Sequence, residues 1–543
     1  MEIDLKGKHI KNLREKALKG NFFSAYQLYD FYKSGKFVDQ DKDKADQYLE
    51  LADSLFYPQD FKLSSLSIDN YKLFNDIRIT KFDDNLNIFV GANGAGKTTI
   101  LDAISMSLSW FVNSISKSGG TGTSIDDSDI NIYTDLPFAN IITTIRINKN
   151  IKCKMELSQA RDGIQKKRSY LYEVRRIGSF YKISNEINSE LNLPLFAFYN
   201  ALRSYDVSQK DMNISALGLA NDSLDKFKGY NNSLNGKVDF SSFVEWFKAI
   251  DDIETRRQLS SIDQDFKIAN KLLAEIENLI DNDPSSAQKL NELIKSLALK
   301  EKLSEVNELS SLNKDNIKLI KKSINLVIEE FMDGYGNLEL EMEPRFDLFL
   351  TKNERKISVL KLSQGEKALL SLILDITMRL FMLNPSLSNP LHGQGIVLID
   401  EFDLHLHPKW QREIVNKLPT VFPNCQFFLT THSPLVLGEA KPSQIFIFYN
   451  ENNVLKFRQP TQSLGLTSND ILNELMITDS NLNQLSRNAL VEESLNEIFN
   501  LIEQETDDSI FKAKLEIEKL EKMLFGEIPE LIEAKTKIEF LEL

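Results

Sequence analysis

Apolar residues in the first 56 positions fall at helical spacing: Ala17, Ala25, Leu28 and Tyr32, then Ala45, Tyr48, Leu49 and Ala52, with Gly35 between the two sets. This predicts two short helices bent at Gly35. After Pro58 the texture changes to short β-type segments at 63–68 and 77–82, which lead into an unbroken apolar strand at 86–90. From 141 to 184 the period stays near two, which predicts an antiparallel meander or hairpin. Residues 205–331 return to helical spacing, clearest at 266–280 and 290–309, with a turn at 281–286 around Pro284. Each arm of that insertion is at most about 40 Å long at 1.5 Å per residue. Strand character resumes at 338–350, followed by a helix, a buried strand at 396–399, a further helix and a strand at 426–429. Residues 481–543 read as helices, with Pro529 near a turn.

The resulting layout is an α/β chain in five parts: helices at 1–56, the first lobe of a head at 62–204, a helical insertion at 205–335, the second lobe at 336–480 and acidic helices at 481–543. A length of 543 residues fits several domains, and 42% hydrophobic with 27% charged residues argues against wholesale disorder. The net charge of −14 excludes a globally basic nucleic-acid coat. From 491 onward there are 15 acids against 6 bases, so acidity concentrates in the C-terminal helices, a docking face for a basic partner. Arg161, Lys166, Lys167, Arg168, Arg175 and Arg176 form a local basic cluster that reads as the guard of a sheet edge or as a nucleic-acid contact. Cys153 and Cys425 are too few for a disulfide framework and fit a reducing cytoplasm. The first 12 residues lack the apolar core of a signal peptide. The apolar stretch 369–383 carries Asp375 and Arg379, which marks a buried helix and no membrane span.

Chemistry concentrates in four short motifs. Gly91-Ala-Asn93-Gly94-Ala95-Gly96-Lys97-Thr98-Thr99 follows the apolar strand and opens a helix-like run, the context of a P-loop. Its glycines let backbone N–H groups close around phosphates, Lys97 neutralises them, and the Thr98 hydroxyl reaches Mg²⁺. This predicts binding of a nucleoside triphosphate. Asp400 and Glu401 end the apolar strand 396–399, where Asp400 suits a Mg²⁺ shell and Glu401 is placed to polarise an attacking water. Leu362-Ser363-Gln364-Gly365-Glu366 has capping-box spacing and presents a helix N-terminus to an anion. His432 ends the strand 426–429 in the run Thr430-Thr431-His432-Ser433-Pro434. Asp403, His405 and His407 could suggest a metal site, since His-x-His is a ligand spacing, but the histidines are better read as interface and packing groups.

In this order and with a helical insertion between them, the motifs resemble the ABC/SMC superfamily of ATPases, in its AAA_21-like branch, over residues 63–477; segments 195–203 and 465–475 are also similar to it. The resemblance implies an ABC-type head that binds ATP and Mg²⁺ through Asn93, Gly94, Ala95, Gly96, Lys97, Thr98 and Thr99, with Thr98 and Asp400 on the metal and Glu401 and His432 catalytic. It further implies a homodimer of heads, or a higher even oligomer, in which Ser363 and Gly365 of one head cover the nucleotide of the other. Gln364 departs from the transporter pattern, which has glycine there, and implies slower chemistry or altered closure. The family's glutamine loop falls near Asp129-Ile130. Residues 405–411 look like the loop that follows the catalytic carboxylates, with Trp410 and Gln411 continuing it. Residues 17–52 resemble a single Sel1-like, tetratricopeptide-type unit, which needs a neighbouring surface to bury its face.

At closer range the chain resembles the ATPases of Septu and retron antiphage systems. That implies an HNH nuclease (PtuB-like) on a separate chain and, in retrons, a reverse transcriptase with multicopy single-stranded DNA, with no membrane involved. Two other classes stay open from the sequence: an ATP-driven nuclease of the overcoming-lysogenisation-defect type, and a DNA-repair or DNA-clamping ATPase.

Overall fold

The computed structural model describes residues 2–57, 59–117, 119–165, 167–201, 225–255, 314–341, 346–404, 406–452, 454–472, 489–524, 526 and 528–541. They form two compact units, Met1–Phe89 with Gly96–Ser433, and Val90–Ala95 with Pro434–Leu543.

The first unit opens with helices α1 (Glu2–Leu18), α2 (Phe22–Ser34) and α3 (Lys42–Phe56). Asn21 caps α2 by accepting from the Ser24 N–H, and Gly35 ends it in the left-handed conformation, the bend expected from the sequence. Strands β1 (Lys62–Tyr71), β2 (Phe74–Ile79), β4 (Phe138–Arg146) and β5 (Lys152–Ala160) make an antiparallel sheet in the order β2-β1-β4-β5, while β3 (Leu86–Gly91) and α4 (Lys97–Ser116) lie between them in sequence. The second strand thus starts three residues earlier than the alternation suggests. The expected meander ends at Ala160, and residues 172–187 form helix α5 (Tyr172–Ile187) instead of a strand. Val174, Ile177, Tyr181 and Ser184 recur every three to four residues on its buried face, a period masked in sequence by the intervening Phe180 and Gly178.

Helix α5 gives the N-terminal hairpin the surface it needs. Phe180 meets Phe22 at 5.1 Å and Phe56 at 4.8 Å between ring centroids, and Arg176 pairs with Asp30. On its other flank, a Cβ at Gly178 would sit 2.3 Å from the Ser114 Cβ, so only glycine lets α5 approach α4 this closely. The basic cluster is largely spent inward. Arg161 donates to the Asn131 and Thr134 carbonyls, Lys167 pairs with Glu156, and the Arg175 guanidinium lies 5.6 Å from the Trp110 ring centroid. Lys166 lies outside the described residues.

The parallel layer of this unit is β3, β11 (Cys425–Thr430), β10 (Gly395–Ile399) and β6 (Leu195–Tyr199), side by side in that order. Every residue of β6, β10 and β11 is buried, which explains their unbroken apolar runs. Gln426, also buried, ties the layers together: its side chain accepts from the Leu63 N–H at 2.7 Å and donates to the Asp83 carbonyl at 2.8 Å. Of the helical insertion, residues 225–255 and 314–335 are described, the latter opening with α6 (Lys314–Phe331). The periodic stretches at 266–280 and 290–309 and the turn at 281–286 lie outside the described residues, as do 202–203 and 473–475. The strand expected at 338–350 is two strands, β7 (Tyr335–Glu341) and β8 (Asp347–Lys352), which pair antiparallel and continue to β9 (Arg355–Ser358).

Helix α7 (Gln364–Leu383) is buried from Ala368 onward. The two charges of its buried part face each other, with the Arg379 Nε donating to Asp375 at 2.7 Å. The Tyr199 hydroxyl donates to the same carboxylate at 2.7 Å, and Arg379 also donates to the Gly229 and Asn231 carbonyls. Helix α8 (Pro408–Val421) follows β10.

In the second unit, β12 (Ile445–Glu451) and β13 (Val454–Arg458) pair antiparallel. Helices α9 (Ala489–Glu503), α10 (Asp507–Leu524) and α11 (Pro529–Leu541) enclose their own core, including Leu495, Ile498, Ile517 and Leu531. Among the described residues, no helix is long and apolar enough to cross a membrane.

Candidate nucleotide site

The P-loop turns the chain from β3 into α4. Gly96 is the N-cap of α4 at φ 85°, and a Cβ there would sit 2.4 Å from the Phe74 ring, so glycine is required both for the turn and for the ring beneath it. Asn93, Gly94 and Thr98 are exposed, Thr99 is partly exposed, and Ala95 is buried. Lys97 is buried at 7% exposure. Burial lowers its pKa, while the carboxylates of Asp400, Glu401 and Asp403 act in the opposite direction and favour the ammonium form.

Two adjacent parallel strands bring the acids to that lysine. The Thr98 hydroxyl donates to Asp400 Oδ2 at 2.9 Å, and the Thr430 hydroxyl at the end of β11 donates to Asp400 Oδ1 at 2.5 Å. The same Thr430 oxygen accepts from the Glu401 N–H at 2.7 Å. Glu401 takes φ 43°, a left-handed conformation that a non-glycine residue rarely adopts and that its neighbours here enforce. On the far side of β10, the Asp400 N–H donates to the Tyr199 carbonyl at 2.7 Å.

His432, two residues beyond Thr430, is half-buried; burial lowers its pKa first and nearby Lys97 lowers it further, which favours the neutral imidazole. Gln411 of α8 was not singled out as a site residue by the sequence, yet it braces two sides of this group. It donates to the Asp403 and Leu406 carbonyls at 3.1 and 3.0 Å and accepts from the Ser433 hydroxyl at 2.7 Å. Thr430 was missed as well; the signal for both is only that they flank His432 and the acid loop. His407 caps α8 through Nδ1, which accepts from the Lys409 N–H at 3.3 Å, and His405 lies outside the described residues.

Ser363 and Gly365 lie at the N-terminus of α7. The capping box is complete, with Ser363 accepting from the Glu366 N–H and Glu366 accepting from the Ser363 N–H. Burial raises the Glu366 pKa, but bonds from the Tyr335 hydroxyl, Ser363 and Lys352 outweigh it and hold the carboxyl down at about 2. A cavity of about 550 Å³ opens beside this turn, lined by Ser363, Gly365, Tyr335, Lys352, His407 and Trp410 among others. The structure therefore brings together Lys97, Thr98, Asp400, Glu401 and His432, while Ser363 and Gly365 line the cavity beside the α7 cap.

A family model for the AAA ATPase domain, AAA_15, matches residues 61–437. The chain is similar to the retron Vc95 probable ATPase of Vibrio cholerae serotype O1 biovar El Tor, at 33% identity over 480 residues, 88% of this chain and 90% of that one. It is similar to the retron Ec83 probable ATPase of Escherichia coli, at 34% over 482 residues, 86% and 85% of the two chains. It also matches the Septu protein PtuA of Bacillus thuringiensis at 23% over 460 residues, 83% and 92% of the two. Among solved structures, the Smc head domain derived from Pyrococcus furiosus aligns with a TM-score of 0.41 and 17% identity, over 74% of this chain and 96% of that one. With this family model matching most of its length, the chain belongs to the AAA_15 family of AAA ATPase domains.

Proposed function

We propose that this chain is the ATP-binding and ATP-hydrolysing regulatory subunit of an antiphage defence system of the Septu or retron type, working in the cytoplasm. The observation that carries the ATPase part is the junction of Thr98, Asp400, Thr430 and Glu401, one hydrogen-bonded group built from three segments more than 20 residues apart. The relatives at 33% and 34% identity carry the defence part.

Backbone N–H groups of residues 93–99 and the Lys97 ammonium would hold the phosphates of ATP. The Thr98 hydroxyl and the Asp400 carboxylate are hard oxygen donors already 2.9 Å apart, which fits Mg²⁺, and those two residues would hold it. Bound there, Mg²⁺ supplies charge neutralisation at the phosphates. Glu401 orients and polarises the attacking water, held in place by the bond from its N–H to Thr430. Neutral His432 offers a hydrogen bond toward the γ-phosphate. Ser363 and Gly365 act on the nucleotide of a second head, so that ATP joins two heads and hydrolysis parts them. The nuclease is a separate HNH chain, and a retron context adds reverse transcriptase and multicopy single-stranded DNA. The inward use of Arg161, Lys167 and Arg176 weighs against a duplex-clamping function for the basic cluster.

The test pairs two variants. Lys97→Ala abolishes ATP binding, whereas Glu401→Gln retains it, loses at least about 100-fold in hydrolysis and accumulates head dimers. Equal loss of nucleotide binding in both would refute the assigned roles. Mixing Lys97→Ala with Ser363→Arg chains restores one working site per dimer, measured as phosphate release.

A further inference from the structure

Between residues 125 and 136 the chain carries four aspartates and no lysine or arginine, and its tip exposes large apolar side chains. Ile132 is 77% exposed, Tyr133 80% and Leu136 49%, and Leu73 in the neighbouring β1–β2 turn is 46% exposed. These residues contribute nothing to the core. Three exposed apolar side chains within five residues mark a contact surface more readily than scattered ones do.

The tip is also built to hold its shape. Asn70, fully buried, donates to the Leu136 and Phe138 carbonyls at 3.2 and 2.9 Å and accepts from the Thr134 hydroxyl. Asn131, at 2% exposure, donates to the Asn75 side chain at 2.8 Å and accepts from the Tyr133 N–H at 2.8 Å. The Lys72 N–H donates to the Asp129 carbonyl, and Arg161 donates to the carbonyls of Asn131 and Thr134. An aromatic anchor fixed in advance binds without the entropy cost of ordering a loop. Asn131 ties the tip to Asn75 at the start of β2, next to Phe74, whose ring packs against Gly96, the residue that opens α4.

The surface around Ser363 has the opposite charge. Residues 352–367 hold five bases against two acids. Lys352 and Lys356 pair within the unit with Glu366 and Glu339, while Arg355 and Lys361 are exposed. Resting on the two-headed reading above, we propose that the Ile132–Tyr133 tip and its aspartates dock on the 352–367 surface of a second copy of this chain. Each head would then hold its partner through this tip, in addition to shared nucleotide, and Arg355 and Lys361 would meet Asp127 and Asp135.

Dimerisation is read by sedimentation in the Glu401→Gln background with saturating ATP. Failure of that parent to dimerise refutes the two-headed reading and takes this proposal with it. If the parent dimerises, adding Ile132→Ser with Tyr133→Ser weakens the dimer at least tenfold while ATP binding by the monomer and its melting temperature stay unchanged. Asp127→Lys with Asp135→Lys, and separately Arg355→Glu with Lys361→Glu, each weaken it similarly. Mixing those two charge-reversed chains recovers dimer above either alone, and added salt weakens the parent dimer. Dimers of parental strength in the tip variant, or no recovery on mixing, would overturn the docking surface while leaving the nucleotide sandwich standing.

Discussion

Thr430 makes two bonds with one oxygen. It donates to Asp400, accepts from the Glu401 N–H, and so fixes the acid pair to the end of β11. Replacing it by valine keeps the shape of the side chain and removes both bonds. Thr430→Val is therefore expected to lower hydrolysis by about 10–100-fold with a much smaller change in ATP affinity, the pattern of a residue that orients others. Steady-state kinetics alongside nucleotide titration separates the two. Valine with parental turnover would show that Asp400 and Glu401 hold their places without it.

Elements reveal how much of the molecule was legible. The P-loop, the acid-ended strand and the capping box could be read because each is a local signal: a few consecutive residues whose spacing already fixes the backbone. Helix α5 was not, because its polar and apolar residues mimic alternation and its burial depends on α2 and α4, far away in sequence. Thr430, Gln411 and the Asn70–Asn131 pins escaped for the same reason, since each has a partner between 22 and 66 residues off. The α7 cap allows a test at this scale. The Glu366 carboxyl is held at about 2, below the ordinary value near 4.3, so its stabilisation is complete above that ordinary value and drains away as pH falls toward 2. Glu366→Ala should cost about 1 kcal/mol at pH 7 and visibly less at pH 3, read as the shift in urea midpoint against parent. An equal cost at both values would mean that the charge of Glu366 is irrelevant to the cap.

At the scale of the whole molecule, the acidic helices α9 to α11 bury one another's apolar faces around Ile498, which is fully buried. Such a core is a unit of stability in its own right. Ile498→Ala should destabilise it by about 2–5 kcal/mol. Hydrogen exchange would show faster exchange across α9 to α11 with protection retained in β10 and β11; a uniform loss across both would show one cooperative unit.

The Asp375–Arg379 pair, sealed in an otherwise apolar helix, also constrains how this sequence can drift over generations. Losing either member strands a charge away from water at a cost of about 3–5 kcal/mol, and replacing both with apolar residues avoids that charge but still takes these partners from the Tyr199 hydroxyl and the Gly229 and Asn231 carbonyls. Two codons twelve nucleotides apart are thus locked to each other, and any lineage that abandons the pair must cross a valley of unstable single mutants or change both at once.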